Sequence, residues 1–512
     1  MCRQWLVAFV PFLSLGSSLL SQPPQPTQPP LMRTLDLNVG ESEDVELSDG
    51  TRTSIKLLDM HEIRDDLRNV VRRAEVTVLV AGHKISLVSA NYRLPVTVGN
   101  VQIDCPITRG YRQNNEKGVA GENPWGLVKD ARVRLWPAGS PLLKPGTFVY
   151  PAKQRWFASG TQMANEPVHV DGGENPLAKA IYYHYGLDIG GAEGMVDVVA
   201  ATDGLVVSAG KAVLAGYADT PVQPRYDVIY VLDPRGWYYR YSHLKMIGPD
   251  VRPGQEVKMG QRIGRLGKEG GSGGWSHLHF DISGRQPSGK WGIIEGYAFL
   301  WEAYLRQYQP KLLAVARPHQ LAAVGQNVVL DGSRSWSASK IVGYEWTFTD
   351  GQTAVGATVE RMYKKPGVYS EILKITDSAG RVDYDFAVVN VLDKEHPEWL
   401  PPSIHAAYAP TFAIRPGDAI TFLVRTFRTS DGKETWDFGD GSPKVVVQSD
   451  GNAVPLAENG YARTVHAYAK AGHYVVRVER TDRRGYTAIG HLHVHVADER
   501  SESSPVCRYD RR

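Results

Sequence analysis

Residues 276–282 read Ser-His-Leu-His-Phe-Asp-Ile (SHLHFDI), and residues 490–496 read Gly-His-Leu-His-Val-His-Val (GHLHVHV). In both stretches histidines alternate with apolar residues, which is the two-residue period of a β-strand with two different faces. Each strand therefore carries its histidines on one face and its apolar side chains on the other. Because this holds for both, alternation alone does not tell which stretch belongs to a metal site, and the surrounding sequence must decide.

The size and charge of the chain limit its organisation and its partners. It has 512 residues, of which 42% are apolar, enough for several hydrophobic cores. A prior of roughly 100–200 residues per domain predicts about three to five domains. The 58 Lys and Arg residues nearly balance the 55 Asp and Glu residues, and the net charge is +3. The sequence has no dense basic block, so we expect no nucleic-acid partner.

The N-terminal stretch MCRQWLVAFVPFLSLGSSLLS combines a basic start at Arg3 with an apolar run and small residues near Ser21. This pattern predicts a secretory signal peptide over residues 1–21. The alternative is an uncleaved membrane anchor, but an apolar run interrupted by Pro11 is short for a span. We expect a secreted protein, periplasmic or extracellular, with no membrane partner after signal removal. Residues 22–30, QPPQPTQPP, predict an extended proline-rich spacer.

Two cysteines, Cys105 and Cys507, remain in the expected mature chain. They exclude a disulfide-rich scaffold but permit one bridge in an oxidising compartment, and whether they pair stays open. Two thiols alone do not make a zinc site. A metal site in this chain must therefore use histidine and carboxylate ligands.

The remaining sequence divides into successive β-rich segments. Residues 31–150 alternate β-rich runs with turns and predict an N-terminal β domain, with a helix at 61–74 (HEIRDDLRNVVRRA) predicted from apolar residues at helical spacing. Residues 151–309 carry short β-branched and aromatic runs between glycine turns, which predict antiparallel β structure ending in a helical segment at 294–308. A polar tail occupies residues 498–512.

Two further segments, 312–393 and 403–497, show strands at roughly the 8–12-residue spacing of a β-sandwich. They also repeat each other, since YEWTFTDG at 344–351 aligns with TWDFGDG at 435–441. These motifs resemble those of PKD-type domains, which are immunoglobulin-like β-sandwiches. The fold expected for the whole chain is thus mainly β and multidomain.

The repeated motif assigns side chains within each sandwich. Trp346 and Trp436 are predicted to face the two cores, and the Asp-Gly pairs are predicted to form tight turns. A calcium site at Asp437 and Asp440 is an alternative, although two carboxylates in a turn commonly serve the turn itself.

The stretch GHLHVHV becomes the last strand of the second sandwich. Leu492, Val494 and Val496 are predicted to enter the core, and the alternating histidines are predicted to face solvent. No neighbouring carboxylate lies at a spacing that suggests a built metal site. We therefore expect this histidine row to be structural.

The first histidine stretch, in contrast, has candidate metal ligands upstream. In YYHYGLDIGG, His184 and Asp188 are separated by three residues, so an imidazole and a carboxylate can reach one point. One histidine of HLHF completes three protein ligands for a tetrahedral zinc whose fourth position is open, as in catalytic sites. A single His-x-x-x-Asp occurs by chance, so the prediction depends on the motifs that follow in order: VVAATDGLVVSAG, YRYSHL, VRPGQEVKMGQRIGRLG and HLHFDI.

This ordered set resembles the lysostaphin-like or LytM-type zinc metallopeptidases, exported bacterial enzymes that cut the peptide cross-links of peptidoglycan. The resemblance covers about residues 150–300, under a third of the chain, and implies an antiparallel-β catalytic domain. It also implies three Zn²⁺ ligands, His184, Asp188 and His279.

The same resemblance makes His277 and His243 catalytic. Zinc polarises a scissile carbonyl and lowers the pKa of its water toward about 7. A neutral imidazole can then take a proton from that water and pass it to the leaving amine, while a second imidazole steadies the oxyanion. His277 is the expected general base and His243 its partner or the oxyanion stabiliser, and an exchange of these roles stays open.

Two stretches near these motifs bear on the substrate groove. RWFASGTQMANEPV at 155–168 departs from the family's pattern ahead of the first ligand, which leaves the bond preference open. The loop GKEGGSGGWS at 267–276 is glycine-rich, and glycine lets an extended peptide approach the backbone closely. Trp275 in this loop is either a substrate platform or an ordinary packed residue.

The leading hypothesis is a secreted, cell-wall-associated zinc metalloendopeptidase that hydrolyses peptide bonds in peptidoglycan stem peptides or cross-bridges. Its partner would be peptidoglycan or another cell-surface polymer. The alternatives are a zinc peptidase that acts on a glycine-rich protein, and a non-catalytic wall-binding or regulatory protein that retains the fold. The N-terminal domain, through its Asn-rich stretch at 112–126, could also occlude the zinc. The oligomeric state stays open.

Overall fold

The structure, a computed structural model, describes residues 23–67, 69–89, 91–112, 123–167, 182–217 and 219–498. The described residues are mainly β and lie in several sheets, which confirms the expected mainly β, multidomain fold. Among them, no helix combines the length and hydropathy that a bilayer crossing requires. The predicted signal peptide, Cys507 and nearly all of the polar tail lie outside these ranges.

The strands of the N-terminal region are β1 (Arg33–Leu37), β2 (Ser42–Glu46), β3 (Arg52–Arg64), β4 (Val71–Val80), β5 (His83–Val88), β6 (Val96–Val98), β7 (Val101–Thr108) and β8 (Ala131–Pro137). They form two four-stranded antiparallel sheets with the orders β1-β8-β7-β6 and β2-β3-β4-β5. A short 3-10 helix, Arg109–Arg112, follows β7. Apolar side chains from both sheets face each other in one core, which also buries Cys105.

The predicted helix at 61–74 is wrong, because these residues belong to the hairpin of β3 and β4. The pairing runs from Ile55 opposite Val80 to Arg64 opposite Val71 and satisfies the backbone groups of both strands. Asp65 starts the connecting turn, where its carboxylate accepts a hydrogen bond from Leu67 N. The apolar residues at helical spacing were too few to outweigh the alternating, β-branched pattern of the long hairpin.

The strands of the central domain are β9 (Thr161–Gln162), β10 (Leu187–Gly190), β11 (Asp197–Val199), β12 (Gly204–Ala209), β13 (Ala212–Val213), β14 (Ile229–Leu232), β15 (Tyr238–Ser242), β16 (Leu244–Ile247), β17 (Glu256–Val257), β18 (Arg262–Leu266), β19 (His277–Arg285) and β20 (Trp291–Ile293). The main antiparallel sheet has the order β13-β12-β14-β15-β19-β10-β9. A smaller sheet has the order β11-β18-β16. The helix predicted at 294–308 is present as α1 (Tyr297–Tyr308).

The predicted proline-rich spacer lies along the central domain instead of standing free of it. The backbone N–H groups of Thr27 and Gln28 donate to the carbonyl oxygen of Pro234 at 2.8 and 3.1 Å. Pro234 lies in the turn between β14 and β15. The spacer is thus docked against the turn that joins two interior strands of the main sheet.

The hydrophobic core of the central domain includes side chains that precede residue 151. Phe148 lies against Phe280 of β19, with ring centroids 6.3 Å apart, and Tyr150 lies against Tyr304 of α1 at 5.3 Å. The same core cluster buries Trp136, Leu142 and Leu143. The N-terminal region therefore completes the central core. Whether it also occludes the site stays a prediction, because residues 113–122 lie outside the described part of the chain.

We predict that a chain beginning at Pro151 loses cooperative folding. It lacks Trp136, Phe148 and Tyr150, and removing a single large core aromatic side chain costs about 3–5 kcal/mol of a total stability of about 5–15 kcal/mol. Differential scanning calorimetry of the shortened and full chains checks this. A cooperative transition in the shortened chain within a few degrees of the full chain would contradict it.

The strands of the first sandwich are β21 (Leu312–Leu313), β22 (Gln320–Ala323), β23 (Asn327–Asp331), β24 (Trp336–Ser337), β25 (Ile341–Thr347), β26 (Thr353–Val355), β27 (Thr358–Met362), β28 (Gly367–Asp377) and β29 (Val382–Leu392). Those of the second sandwich are β30 (Ser403–Ala409), β31 (Ile420–Phe427), β32 (Glu434–Asp437), β33 (Val445–Val447), β34 (Ala462–His466), β35 (Gly472–Thr481) and β36 (Thr487–Val496). Trp346 and Trp436 are fully buried, which confirms their inward orientation. Asp437 and Asp440 accept hydrogen bonds from Gly439 N and Ser442 N, as turn residues do.

The two sandwiches share one sheet, with the order β22-β29-β28-β36-β35-β32-β33. The junction is the parallel contact of β28 with β36, at Val368 and Ala488. Neither sandwich is therefore an isolated module. The first sandwich also covers the polar face of β36, which carries the histidine row.

This junction corrects the expectation that the second histidine row faces solvent. His493 is only 9% exposed, and its Nδ1 lies 3.1 Å from the carboxylate of Asp383 in the first sandwich. His491 stacks on Phe386 with centroids 5.4 Å apart, and His495 stacks on His473 of β35. Leu492, Val494 and Val496 enter the core as predicted. The sequence of one strand does not reveal which neighbour will cover its polar face.

Candidate active site

The candidate site lies on the face of the main sheet opposite the core. β10 pairs antiparallel with β19, so that Asp188 lies opposite His279 and Gly190 lies opposite His277. Directly opposed residues in such a pair have Cβ atoms about 4.5–5.5 Å apart on the same face. The register alone therefore brings Asp188 to His279.

The other edge of β19 brings in the next histidine. β15 pairs with β19 so that Ser242, its last residue, lies opposite His279. His243 follows directly, with φ 64°, a left-handed conformation that non-glycine residues seldom adopt. Its backbone N–H donates to the buried carboxylate of Asp227 at 2.9 Å, which holds this turn in place. His243 is thereby aimed toward β19, and its ring centroid lies 4.6 Å from that of His277.

The three predicted metal ligands present their donor atoms to one point. His184 Nε2 lies 3.2 Å from Asp188 Oδ1 and 3.1 Å from His279 Nδ1. The same carboxylate oxygen lies 2.8 Å from His279 Nδ1. Around a tetrahedral ion with bonds of about 2.0–2.1 Å, neighbouring donor atoms are roughly 3.3 Å apart. The observed separations are close to that edge length.

The other nitrogen of His279 is held by a carboxylate. His279 Nε2 lies 3.1 Å from Asp281 Oδ2, and the side chain of Asp281 is 4% exposed. A carboxylate only accepts, so this contact favours a proton on Nε2, and Nδ1, which faces Asp188 and His184, is the nitrogen that would ligate a metal bound there. Arg240 in turn lies 3.4 Å from the same oxygen of Asp281. Asp281 therefore selects the histidine tautomer that a metal site needs.

His277 and His243 are both anchored through Nδ1 to backbone carbonyl oxygens. His277 Nδ1–H donates to Trp275 O at 3.1 Å, and His243 Nδ1–H donates to Glu269 O at 2.6 Å. Because a carbonyl oxygen cannot donate, these contacts put a proton on each Nδ1 and leave each Nε2 free of one in the neutral ring. The glycine-rich loop thus supplies both anchoring carbonyls.

The charge states follow from burial and contacts. Burial lowers the pKa of His277 well below its usual range and lowers the pKa of His243 as well. Burial would raise the pKa of Asp188, but its interactions with His184 and His277 hold that pKa well below the usual value. Near pH 7 Asp188 is therefore an ionised carboxylate, and His277 and His243 are neutral imidazoles that are able to accept a proton.

The glycine between the first two ligands has a steric role. A Cβ atom on Gly186 would lie 2.5 Å from His279 Cε1 and 2.7 Å from His279 Nε2. Such distances are far below van der Waals contact, so a side chain here would push the His279 ring aside. The segment from His184 to Asp188 approaches His279 this closely only because residue 186 is glycine.

These residues fit a metal ion. Among the described residues, His184, Asp188 and His279 form the group of three donors close enough to hold one ion. All three are buried, and two imidazole nitrogens with one carboxylate oxygen are the donor set of catalytic zinc sites. Of the two ring nitrogens of His184, Nε2 faces the other donors. Nδ1 faces away from them and has no hydrogen-bond partner within the described structure.

The structure brings together all five residues predicted for the site, and their chemical roles stay predictions. Sequence reasoning missed Asp281, although the same alternation that pairs His277 with His279 places residue 281 on their face. It also missed Asp227, which lies on no recognised motif. Trp275 stacks on His277 with centroids 3.9 Å apart and an interplanar angle of 19°, so it supports that histidine directly.

Comparison with protein-family models agrees with this geometry. The model described as peptidase family M23 matches residues 182–289, which include every residue of the candidate site. Two models described as PKD domains match residues 310–391 and 406–496. The central domain is thus of the peptidase class. The chain contains a peptidase family M23 domain followed by two PKD domains, as the sequence motifs predicted.

Solved structures give weaker likenesses. Helicobacter pylori Csd3, in its orthorhombic crystal, is 17% identical over 49% of this chain and 82% of that chain, with a TM-score of 0.18. The D0-D1 domain of Intimin is 16% identical over 34% of this chain and 94% of that chain, with a TM-score of 0.20. The PKD domain from KIAA 1837 protein is 23% identical over 16% of this chain and 86% of that chain, with a TM-score of 0.15.

We predict that Asp281→Asn weakens zinc binding about 10- to 100-fold, because the uncharged amide no longer raises the basicity of His279 or fixes its tautomer. Competition with a chromophoric chelator measures the zinc Kd. Asp250→Asn, in an exposed turn, is the matched control and should leave the Kd unchanged. An Asp281→Asn variant that binds zinc as tightly as the parent would show that Asp281 does not act on the ligand.

Proposed function

We propose that this chain is a secreted zinc metalloendopeptidase that hydrolyses peptide bonds in peptidoglycan stem peptides or cross-bridges. The observation that carries the proposal is the meeting of three metal donors with two neutral, carbonyl-anchored imidazoles in a peptidase family M23 domain. The secretory pattern at the N-terminus supports action outside the cytoplasm.

In this proposal His184 Nε2, Asp188 Oδ1 and His279 Nδ1 hold the ion. Zinc suits two imidazoles and one carboxylate and tolerates a fourth, exchangeable position. Bound there, Zn²⁺ supplies Lewis acidity toward the scissile carbonyl and toward water. The protein contributes the fixed donor geometry, which the β10–β19 register and Gly186 set in advance.

His277 is assigned as the general base. Its Nδ1 proton is committed to Trp275 O, so its Nε2 lone pair is the one that takes a proton from the attacking water. The acquired proton is then passed from Nε2 to the leaving amine. The peptide bond then breaks with the amine protonated and His277 neutral again.

His243 is assigned as the partner of His277 or the stabiliser of the oxyanion. Its Nδ1–H donates to Glu269 O, and the carboxylate of Asp227 lies 3.5 Å from the same nitrogen. That nearby negative charge favours the protonated ring when a proton arrives at Nε2. A cationic His243 beside the developing oxyanion would lower the barrier electrostatically.

The test is mass spectrometry of the fragments released when the purified chain, loaded with one equivalent of zinc, digests isolated peptidoglycan. We expect peptides cut at stem peptides or cross-bridges from the parent. His279→Ala should neither retain zinc nor release fragments. His277→Ala should retain zinc and act about 10²- to 10⁴-fold more slowly, since it lacks only the general base.

His61→Ala, on an exposed position of β3, is the control for histidine removal and should match the parent. Loss of zinc from His277→Ala would show that the two histidines of β19 have exchanged roles. A parent that binds one zinc per chain but releases no fragment would contradict the substrate. Cleavage of a glycine-rich protein by that same parent would establish the alternative peptidase function.

A further inference from the structure

The second sandwich contacts the glycine-rich loop that leads into His277. Arg425, fully buried, donates from Nη1 to Gly274 O at 2.6 Å, and Asn452 Nδ2 donates to Gly273 O at 3.1 Å. A Cβ atom on Gly274, whose φ is +91°, would lie 2.1 Å from Asn452 Oδ1. The loop therefore meets the sandwich at a distance that only glycine permits.

Arg425 is itself held rigidly. Its Nε donates to Asp450 Oδ1 at 2.8 Å and its Nη2 to Asp450 Oδ2 at 2.5 Å. Its remaining N–H groups donate to the carbonyl oxygens of Val454 and Pro455, each at 2.8 Å. With the bond to Gly274 O, all five donors of the guanidinium are used. A buried arginine whose N–H groups all donate hydrogen bonds is held in one conformation, unlike an arginine on the surface.

A second connection runs from the loop through the sandwich to the segment ahead of β9. Ser276 N–H donates to Tyr461 Oη at 2.7 Å, and Tyr461 Oη lies 2.7 Å from His405 Nδ1. His405 Nε2 lies 3.0 Å from Ser159 Oγ, which lies 2.6 Å from Ala406 O. Ser159 belongs to the segment ahead of β9.

The proton positions in this connection are determined from its far end. The carbonyl of Ala406 only accepts, so Ser159 O–H donates to it and Ser159 Oγ accepts from His405 Nε2–H. His405 Nδ1 is then an acceptor, which receives the O–H of Tyr461, and Tyr461 Oη receives the N–H of Ser276. Every group is satisfied with His405 neutral, in agreement with burial, which lowers the pKa of His405 to about 3.

The connection reaches the proposed general base through Trp275. The His405 ring meets the Trp275 ring edge to face, with centroids 5.3 Å apart. Trp275 also stacks on the His277 ring, with centroids 3.9 Å apart, and its carbonyl oxygen accepts from His277 Nδ1–H. The second sandwich therefore fixes both the ring and the carbonyl that position His277.

Apolar contacts make the attachment of this sandwich to the central domain continuous. Ala158 lies within the core cluster of the second sandwich, and Ala192, just after β10, packs with Ala407 and Leu423. Both contacts join the central domain to the second sandwich. The sandwich thus contacts both the loop at 273–276 and the segment at 158–159.

We propose that the second sandwich is a clamp on the active site, in which Arg425, Asn452 and Tyr461 are positioning residues that hold Trp275 and His277 in the catalytic arrangement. The clamp rests on the proposed function for its effect on catalysis, but its effect on the loop does not. A PKD domain in this chain is accordingly part of the enzyme's structure rather than a tethered binding module.

The test compares the full chain with Tyr461→Phe, which removes only the hydroxyl between Ser276 and His405. Hydrogen–deuterium exchange with mass spectrometry follows the peptide that contains Ser276. We expect exchange at this amide to rise about 2- to 10-fold, the factor that loss of one net hydrogen bond represents. Tyr474→Phe, which removes a hydrogen bond to Lys470 O in the same sandwich, should leave the peptide unchanged.

The kinetic half of the test uses a soluble cross-linked muropeptide. Tyr461→Phe should lower kcat about 2- to 10-fold, with KM and the zinc Kd close to those of the parent, because the placement of His277 is relaxed while the metal donors are untouched. Asn452→Gly, which keeps the left-handed backbone while removing the donor to Gly273 O, should act in the same direction. It provides a second variant if Tyr461→Phe folds poorly.

Unchanged exchange at Ser276 in both variants would overturn the clamp. Faster exchange with an unchanged kcat would overturn the positioning of His277. A 2- to 10-fold loss of kcat/KM that arises from KM alone would also overturn it. If the parent cleaves no muropeptide, the proposed function fails while the exchange measurement still decides whether the clamp exists.

Discussion

The pairing of β10 with β19 is the constraint on which the candidate site depends. It sets Asp188 opposite His279, and a shift by one residue would turn each side chain to the other face of the sheet. The register is fixed by the core, since Leu278, Phe280 and Ile282 on the opposite face of β19 are almost fully buried. Hydrophobic burial on one face therefore determines the metal-donor geometry on the other, before any ion binds.

The two histidines assigned to proton transfer are positioned in a different way. His277 and His243 depend on the carbonyl oxygens of Trp275 and Glu269, which belong to a glycine-rich loop and not to a strand. Loops have fewer internal contacts than sheets, so precise placement there needs support from outside. The second sandwich supplies that support through Arg425, and the N-terminal region stabilises the sheet beneath it through Phe148 and Tyr150. The four regions are thus coupled in one structure.

The sequence predicted the parts of this arrangement that short motifs encode. Ligand spacing and strand alternation are local properties, and they indicate His184, Asp188 and one histidine of the β19 stretch. The family resemblance selects His279 of that pair, and alternation could also have identified Asp281. The helix expected at 61–74 failed because the pairing of β3 with β4 satisfies far more backbone groups than a short helix would. The histidine row of β36 and the contact of Arg425 with Gly274 depend on how domains meet, which no periodicity within one segment reveals.

Zinc K-edge X-ray absorption on the full chain loaded with one equivalent of zinc tests most directly that His184, Asp188 and His279 form a single metal centre. The expected result is nitrogen and oxygen neighbours at about 2.0–2.1 Å, with the outer-shell scattering of two imidazoles. His279→Ala should lose that signal together with the bound zinc. Sulfur neighbours at about 2.3 Å, or an unchanged spectrum in His279→Ala, would contradict the assignment of the centre.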